Sequence, residues 1–421
     1  MYDIYRLTGP VNLRTTVKLP ASKSISNRAL IICALSGSNQ LPDNLSRCDD
    51  TDVVLDALQR RPATIDIGAA GTAMRFMTAY LAATDSGTRL LTGTERMKHR
   101  PIGILVDALR HLGADISYEG AAGYPPLRIT GRQLEGGHLT IDGNVSSQYI
   151  SALLMIGPVL GKGLTLELRG DIISRPYIDL TLWTMREFGA QAEWTAVDTI
   201  EVKPQPYTVR PYLVENDWSA ASYWYEMVAL SDDAEAEVLL DGLLDGSKQG
   251  DSTVRYIFSL LGVRTTFMSR KQGHPSVVRL TKSGNCVPRL EYDFVNSPDL
   301  AQTVVAACCA LGVPFHFTGL QTLKIKETDR ITALKAEMAK LGYELHDEAA
   351  SSLLWDGVRH AYSPQPVIRT YADHRMALAF APLALHETVC IENPQVVTKS
   401  YPQYWEHLQQ AGFGFGVKSE K

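Results

Sequence analysis

Cysteine is sparse and scattered in this chain. Its six residues in 421, Cys33, Cys48, Cys286, Cys308, Cys309 and Cys390, form no C-x-x-C pair and have no histidine at zinc-finger spacing. Neither a disulfide framework nor a structural metal is therefore expected, and most of these thiols, lying in apolar stretches, read as small core residues of a reducing cytoplasm. No apolar run approaches the length that spans a bilayer. The opening Met-Tyr-Asp-Ile-Tyr-Arg lacks both the basic-then-apolar pattern of a signal peptide and the Ser/Arg bias of a transit peptide, so a cytoplasmic location is expected. Positive charge is not in excess either. The 41 Lys and Arg against 46 Asp and Glu leave a net charge of -5, with no overall pull towards nucleic acid or an anionic membrane. Any anion site must be local. The chain has no G-x-x-x-x-G-K-[ST] to cradle ATP phosphates and no G-x-S-x-G nucleophile elbow. Gly412-Phe-Gly-Phe-Gly416 follows a helix at the end of the chain, the wrong context for a dinucleotide fingerprint.

What is present is a soluble globular composition, 45% hydrophobic and 21% charged, over a length too great for one ordinary core. Two kinds of helical segment alternate along it. The first is apolar with little polar face, at 24–35, 71–81, 146–154, 217–230, 297–311 and 373–385. Helices apolar all round are buried, so these form the interior. The second is amphipathic and often closed by Gly, at 100–113, 175–189, 251–262, 327–342 and 401–412, with 50–59 a less regular sixth. Short β-type stretches follow each pair, such as Leu127-Arg-Ile-Thr and His138-Leu-Thr-Ile141. The pattern predicts an α/β chain of six repeated βαβαββ units, three per domain. The domain break falls near Val209-Arg-Pro-Tyr-Leu-Val-Glu215, giving an N-terminal lobe of residues 21–215 and a C-terminal lobe of residues 1–20 and 216–421.

The chemistry gathers at the starts of the buried helices. In Leu19-Pro-Ala-Ser-Lys-Ser-Ile-Ser-Asn-Arg-Ala-Leu30, Ser22 or Ser24 is the helix cap, yet Lys23 and Arg28 crowd a helix end that is already positive. A bound anion, most simply phosphate, resolves the conflict; an ordinary surface helix start is the plainer alternative. Gly68-Ala-Ala-Gly-Thr-Ala-Met-Arg75 is a small-residue loop that lets backbone N–H groups approach a ligand. Arg96, Lys98 and Arg100, then Lys324, Lys326 and Arg330, then Arg375 and Lys399 repeat the pattern. Recurrence at equivalent helix ends implies a shared cleft that draws small polyanions. Ser146-Ser147-Gln148 and Ser174-Arg-Pro-Tyr177 add uncharged readers for phosphate or ring hydroxyls, although helix capping alone would account for a Ser in each. Asp299, Lys326 and Glu327 are candidate acids and bases, and His374 either relays protons or orients Asp373.

Taken together, Ser22-Lys-Ser-Ile-Ser-Asn-Arg28, Ala70-Gly-Thr-Ala-Met-Arg75, Arg96-Met-Lys-His-Arg-Pro-Ile-Gly103, Val145-Ser-Ser-Gln148, Lys326-Glu-Thr-Asp-Arg330 and Asp373-His-Arg-Met376 closely resemble the motifs of the 5-enolpyruvylshikimate-3-phosphate synthases. These transferases serve the shikimate pathway to chorismate and the aromatic amino acids. The resemblance implies a two-domain inside-out α/β barrel with its active site in the interdomain cleft, no metal or redox cofactor, and a monomer. It implies that Lys23, Ser24, Arg28, Ser146, Ser147, Gln148, Ser174, Tyr177, Asp299, Thr322 and Lys326 bind shikimate 3-phosphate. Lys23, Gly71, Thr72, Arg100, Gln148, Arg330, Arg375 and Lys399 would bind phosphoenolpyruvate, with glyphosate as its competitor. Catalysis would fall to Asp299, Lys326, Glu327, Lys23 and His374. Two positions depart from many family members, which carry Asn where this chain has Ala69 and Thr322. The rival readings are the sister transferase acting on UDP-N-acetylglucosamine, which usually relies on a mobile-loop Cys or Asp and whose Cys has no match here, and a non-catalytic phosphosugar-binding protein of the same fold.

Overall fold

The computed structural model describes residues 3–84, 87–269, 274–348 and 351–419. The chain divides into two compact units, residues 21–214 and residues 1–20 with 215–421, and so passes between them twice. Each unit has its own hydrophobic core.

In the 21–214 unit the helices are α1 (Lys23–Leu35), α2 (Asp49–Arg60), α3 (Gly71–Ala83), α4 (Gly103–His111), α5 (Ser147–Ile156) and α6 (Arg175–Glu187). Helices α1, α3 and α5 pack on one another, and α3 and α5 are buried along nearly their whole length because they offer no polar face. Helices α2, α4 and α6 bury one face only; α2 carries Asp49, Asp50 and Asp52 in its first turn and Arg60 in its last, matching the helix dipole.

The strands obey one rule. A first strand, an inner helix and a second strand parallel to the first are followed by an outer helix and two antiparallel strands, and the order across the sheet is first, second, fourth, third. Thr64–Asp66, Thr88–Thr92, Leu127–Thr130 and Asp115–Tyr118 make one such sheet. Gly137–Asp142, Leu164–Arg169, Thr199–Val202 and Ala192–Trp194 make the next. The inner helix supplies the crossover that parallel strands require. Burial alternates along most strands, so one sheet face meets the helices and the other meets solvent.

The second unit repeats the scheme with α7 (Trp218–Leu230), α8 (Val254–Ser259), α9 (Ala301–Leu311), α10 (Arg330–Ala339), α11 (His374–Phe380) and α12 (Tyr404–Gln410). Its inner helices are α7, α9 and α11, with α9 packed on both of the others. One sheet takes its first strand, Arg14–Lys18, from before the crossing at Pro20, and another takes its fourth, Asp3–Thr8, from the start of the chain. Five sheets therefore keep the common order; one has three strands, with the His346–Leu354 bridge in the place of its third strand. The first repeat is abbreviated: its strands shrink to the parallel bridge Asp43–Leu213, and residues 61–63 between α2 and the strand at Thr64 are too few to form a third and fourth. No helix among the described residues is long and apolar enough to cross a membrane.

Candidate active site

The starts of the inner helices carry most of the predicted residues. In the 21–214 unit Ser22, not Ser24, caps α1, accepting from Ile25 N. Lys23 follows at the first helical position, with its Nζ 3.0 Å from Asp50 Oδ2 of α2. One turn on, Arg28 is buried and bonded to Ser24 O, Tyr177 O and the hydroxyls of Ser151 and Thr181. Gln148 Nε2 donates to Thr72 Oγ1 at 3.0 Å, which joins the start of α5 to that of α3. Gly71 opens α3 directly against Arg100: a Cβ at Gly71 would lie 2.5 Å from Arg100 Nη1. Arg75 is turned inward to Gly71 O and Pro101 O and supports that same corner. Among the described residues no carboxylate pairs with Arg28 or Arg100, and Arg100 Nε is buried without a hydrogen-bond partner. Arg28 and Arg100, the first buried and the second half-buried, are thus cations without a carboxylate partner among the described residues, although the chain as a whole is net negative.

Ser146 caps α5 through Gln148 N, leaving Ser147 as the first helical residue. Ser174 is buried at the N-cap place of α6 but does not cap it, because its backbone is left-handed, at φ 53 and ψ 36, and its side chain makes no cap bond. A helix cap therefore explains Ser146 and not Ser174. Tyr177 lies in the first turn of α6, its carbonyl directed at Arg28.

The second unit concentrates charge of both signs. Arg330, wholly buried at the start of α10, donates from Nε to Asp373 Oδ2 at 2.7 Å, from Nη1 to Asp299 Oδ1 at 3.0 Å and from Nη2 to Glu327 Oε2 at 2.9 Å. Arg375 Nη2 reaches Asp299 Oδ2 at 2.9 Å, while its Nη1 donates to Asp299 O and to Tyr223 OH. Lys326 Nζ stands 3.5 Å from Asp299, and Lys399 Nζ 2.7 Å from Glu327 Oε1. Burial pushes the Asp299 carboxyl up, but Arg375, then Lys326 and Arg330, outweigh it and hold the group well below the usual carboxylate range. Asp251, buried beside this cluster and accepting from the Ser219 hydroxyl, is pushed up to about 6 by desolvation and by Asp299. His374 is buried, with Nδ1 3.7 Å from Asp373 Oδ1. Thr322 Oγ1 is buried with no hydrogen-bond partner among the described residues.

The structure thus brings Asp299, Lys326, Glu327, Arg330, Arg375 and Lys399 into one cluster within the second unit. It groups Lys23, Ser24, Arg28 and Tyr177 within the first, with Gly71, Thr72, Arg100 and Gln148 linked in pairs. Asp50, Ser151, Thr181, Tyr223 and Asp251 were not singled out by sequence. An Asp at the start of an amphipathic segment and hydroxyls inside helices carry no motif, so nothing in the linear pattern marks them. Among the described residues no group of three or more His, Cys, Asp or Glu side chains is placed to hold a metal ion.

A family model described as EPSP synthase (3-phosphoshikimate 1-carboxyvinyltransferase) matches residues 7–64 and 59–408. The chain belongs to the EPSP synthase family. A Bacteroides fragilis protein named 3-phosphoshikimate 1-carboxyvinyltransferase is 59% identical to it over 417 residues, covering 99% of this chain and 100% of that one. A protein of the same name from Photobacterium damsela subsp. piscicida is 35% identical, covering 95% of this chain and 98% of its own. A solved EPSP synthase from Acinetobacter baumannii matches the whole of both chains with a TM-score of 0.79 at 20% identity, a likeness of fold. Relatives of the EPSP synthase family thus match nearly the whole chain, and its two-unit α/β fold is like that of a solved EPSP synthase.

Proposed function

We propose that this chain transfers the enolpyruvyl group of phosphoenolpyruvate to the 5-hydroxyl of shikimate 3-phosphate and releases phosphate. The observation that supports it most is the Asp299 carboxylate held among Arg330, Arg375 and Lys326, a base enclosed by cations that suit a doubly anionic donor. Family membership supplies the identity of the two substrates.

In this reading Arg330, Arg375 and Lys399, with Lys23, Gly71, Thr72, Arg100 and Gln148, receive phosphoenolpyruvate. Lys23, Ser24, Arg28, Ser146, Ser147, Gln148, Ser174, Tyr177, Thr322, Asp299 and Lys326 receive shikimate 3-phosphate. The acceptor's 5-oxygen attacks C2 of the enol while its proton passes to Asp299. The methylene carbon takes a proton from Lys326 or Glu327 and becomes a methyl group. Phosphate then leaves the resulting ketal, and the methyl group returns a proton to the same acid–base set. His374 relays a proton or orients Asp373.

The electrostatics suggest how donor binding would activate the base. Without ligand Asp299 is a weak base, since three cations stabilise its anion. When the donor's carboxylate and phosphate draw Arg330 and Arg375 onto themselves, Asp299 loses that stabilisation and becomes basic enough to take a hydroxyl proton. Glyphosate would compete for the same cations, and the enzyme is proposed to act as a cytoplasmic monomer.

The test is phosphate release from phosphoenolpyruvate with each acceptor offered separately. Release with shikimate 3-phosphate and none with UDP-N-acetylglucosamine is expected. Release only with the nucleotide sugar, or with neither, rejects the reading.

A further inference from the structure

Arg28 is a buried cation held entirely by neutral groups. Its Nε donates to Thr181 Oγ1 at 2.7 Å, Nη1 to Ser24 O at 2.8 Å, and Nη2 to Ser151 Oγ at 3.1 Å and Tyr177 O at 3.2 Å. Its Cζ lies 5.4 Å from the centre of the Phe76 ring. Burial lowers its pKa to about 10, so the guanidinium is desolvated yet still charged at neutral pH.

The hydroxyl protons around it can be assigned. Thr181 has one, and its Oγ1 donates to Tyr177 O at 2.8 Å. In the 2.7 Å contact between Ser151 and Thr181 the donor is then Ser151. Both hydroxyls therefore turn lone pairs, never protons, towards the guanidinium. Among the described residues four of the five Arg28 N–H groups are engaged, and one on Nη1 remains.

We propose that Ser151 and Thr181 are positioning residues, a two-hydroxyl relay anchored on the Tyr177 carbonyl that fixes Arg28 while leaving its charge uncancelled and one N–H open to an anionic group of the acceptor. The identity of that acceptor rests on the proposed function. A carboxylate at either position would hold the guanidinium equally well, but it would neutralise it and compete with the ligand. A hydroxyl accepts the N–H and adds no charge.

The test compares Thr181→Val, Thr181→Ser and Thr181→Asp with wild type, using calorimetric binding of shikimate 3-phosphate, steady-state kinetics and thermal melts. Thr181→Val keeps the shape and loses the acceptor, so acceptor affinity should fall about tenfold to a hundredfold, mainly in KM and not in kcat. Thr181→Ser should stay within about threefold of wild type, as a hydroxyl is all that is needed. Thr181→Asp should melt no lower than wild type yet lose affinity by about a hundredfold or more, a separation of stability from binding that a merely structural role would not produce. If Thr181→Val does not fold, Ser151→Ala, which leaves Nη2 on the Tyr177 carbonyl, should weaken binding by about fivefold. Wild-type affinity in Thr181→Val, Ser as damaging as Val, or retained binding in Thr181→Asp overturns the inference. A wild-type protein that neither binds shikimate 3-phosphate nor turns it over defeats the proposed function itself, which separates the two failures.

Discussion

Gly71→Ala probes the donor side of the proposed site with a single methyl group. The new Cβ would lie 2.5 Å from Arg100 Nη1 and 2.9 Å from its Cζ and Nη2. Carbon contacts settle near about 3.5 Å, so the guanidinium must retreat by about 1 Å. Arg100 has no hydrogen-bond partner among the described side chains, and the obstructing atoms are the far end of a flexible chain, so retreat strains the fold little. Gly71 is the first residue of α3 in ordinary helical backbone, where Ala is the better helix former by up to about 1 kcal/mol. Stability should hold or rise slightly. Binding should not hold: a charge-assisted hydrogen bond is worth about 1.5–3 kcal/mol, and losing one raises KM for phosphoenolpyruvate by about tenfold to a hundredfold. The assay is phosphate release at saturating shikimate 3-phosphate with varied donor, beside a thermal melt. Glyphosate inhibition should weaken in step, because the same guanidinium is displaced. An unchanged donor KM would refute the reasoning, as would an equal loss for both substrates together with a lower melting temperature.

Asp299→Ala should leave shikimate 3-phosphate binding measurable by calorimetry while cutting turnover about a hundredfold or more, as expected for a lost general base; near-wild-type turnover would remove Asp299 from that role. Arg330→Gln strips a buried cation from Asp299, Glu327 and Asp373 at once, and urea unfolding should show a loss of about 3–5 kcal/mol. Glu226 is wholly buried in α7 with neither carboxyl oxygen hydrogen-bonded among the described residues, and burial holds its pKa well above the ordinary range. The folded state keeps a proton that the unfolded chain releases, so stability falls as pH rises above the unfolded value, by about 1.4 kcal/mol per pH unit while the folded group stays neutral. Glu226→Gln should flatten that slope in urea titrations between about pH 5 and 8, and parallel curves for the two proteins would contradict it. Cys286 is the exposed thiol and the other five are buried, so a thiol reagent should label one cysteine per folded chain and all six in denaturant.

The inner helices were legible because burial on every side leaves no polar stripe to interrupt an apolar run, and α3, α5 and α7 start within about one residue of where that pattern begins. Their ends were less so. The apolar run to Leu385 is not one helix: α11 stops at Phe380, and Pro382 leads a 3-10 turn over Ala381–Leu385, since proline cannot donate into the preceding turn. Likewise α9 begins only at Ala301, after Ser297-Pro298 has started a separate tight turn. The shortened first repeat shows in sequence only as the brief gap between Arg60 and Thr64, because a missing strand pair leaves no signal of its own. For the site, Lys326, Glu327 and Arg330 share one short motif, and their closeness could be read from spacing. That the same guanidinium also holds Asp299 and Asp373, 31 and 43 positions away, depends on how α9, α10 and α11 are placed by their sheets.

Thr181 marks the limit most sharply. A threonine inside a helix ordinarily returns its hydroxyl proton to the carbonyl four residues back, and Thr181 does so to Tyr177. Its sequence signature is therefore that of any helical threonine. Only the packing of α1 against α5 and α6, which sets Arg28 across 153 positions at 2.7 Å, reveals that the lone pairs left over by this commonplace bond face a buried cation.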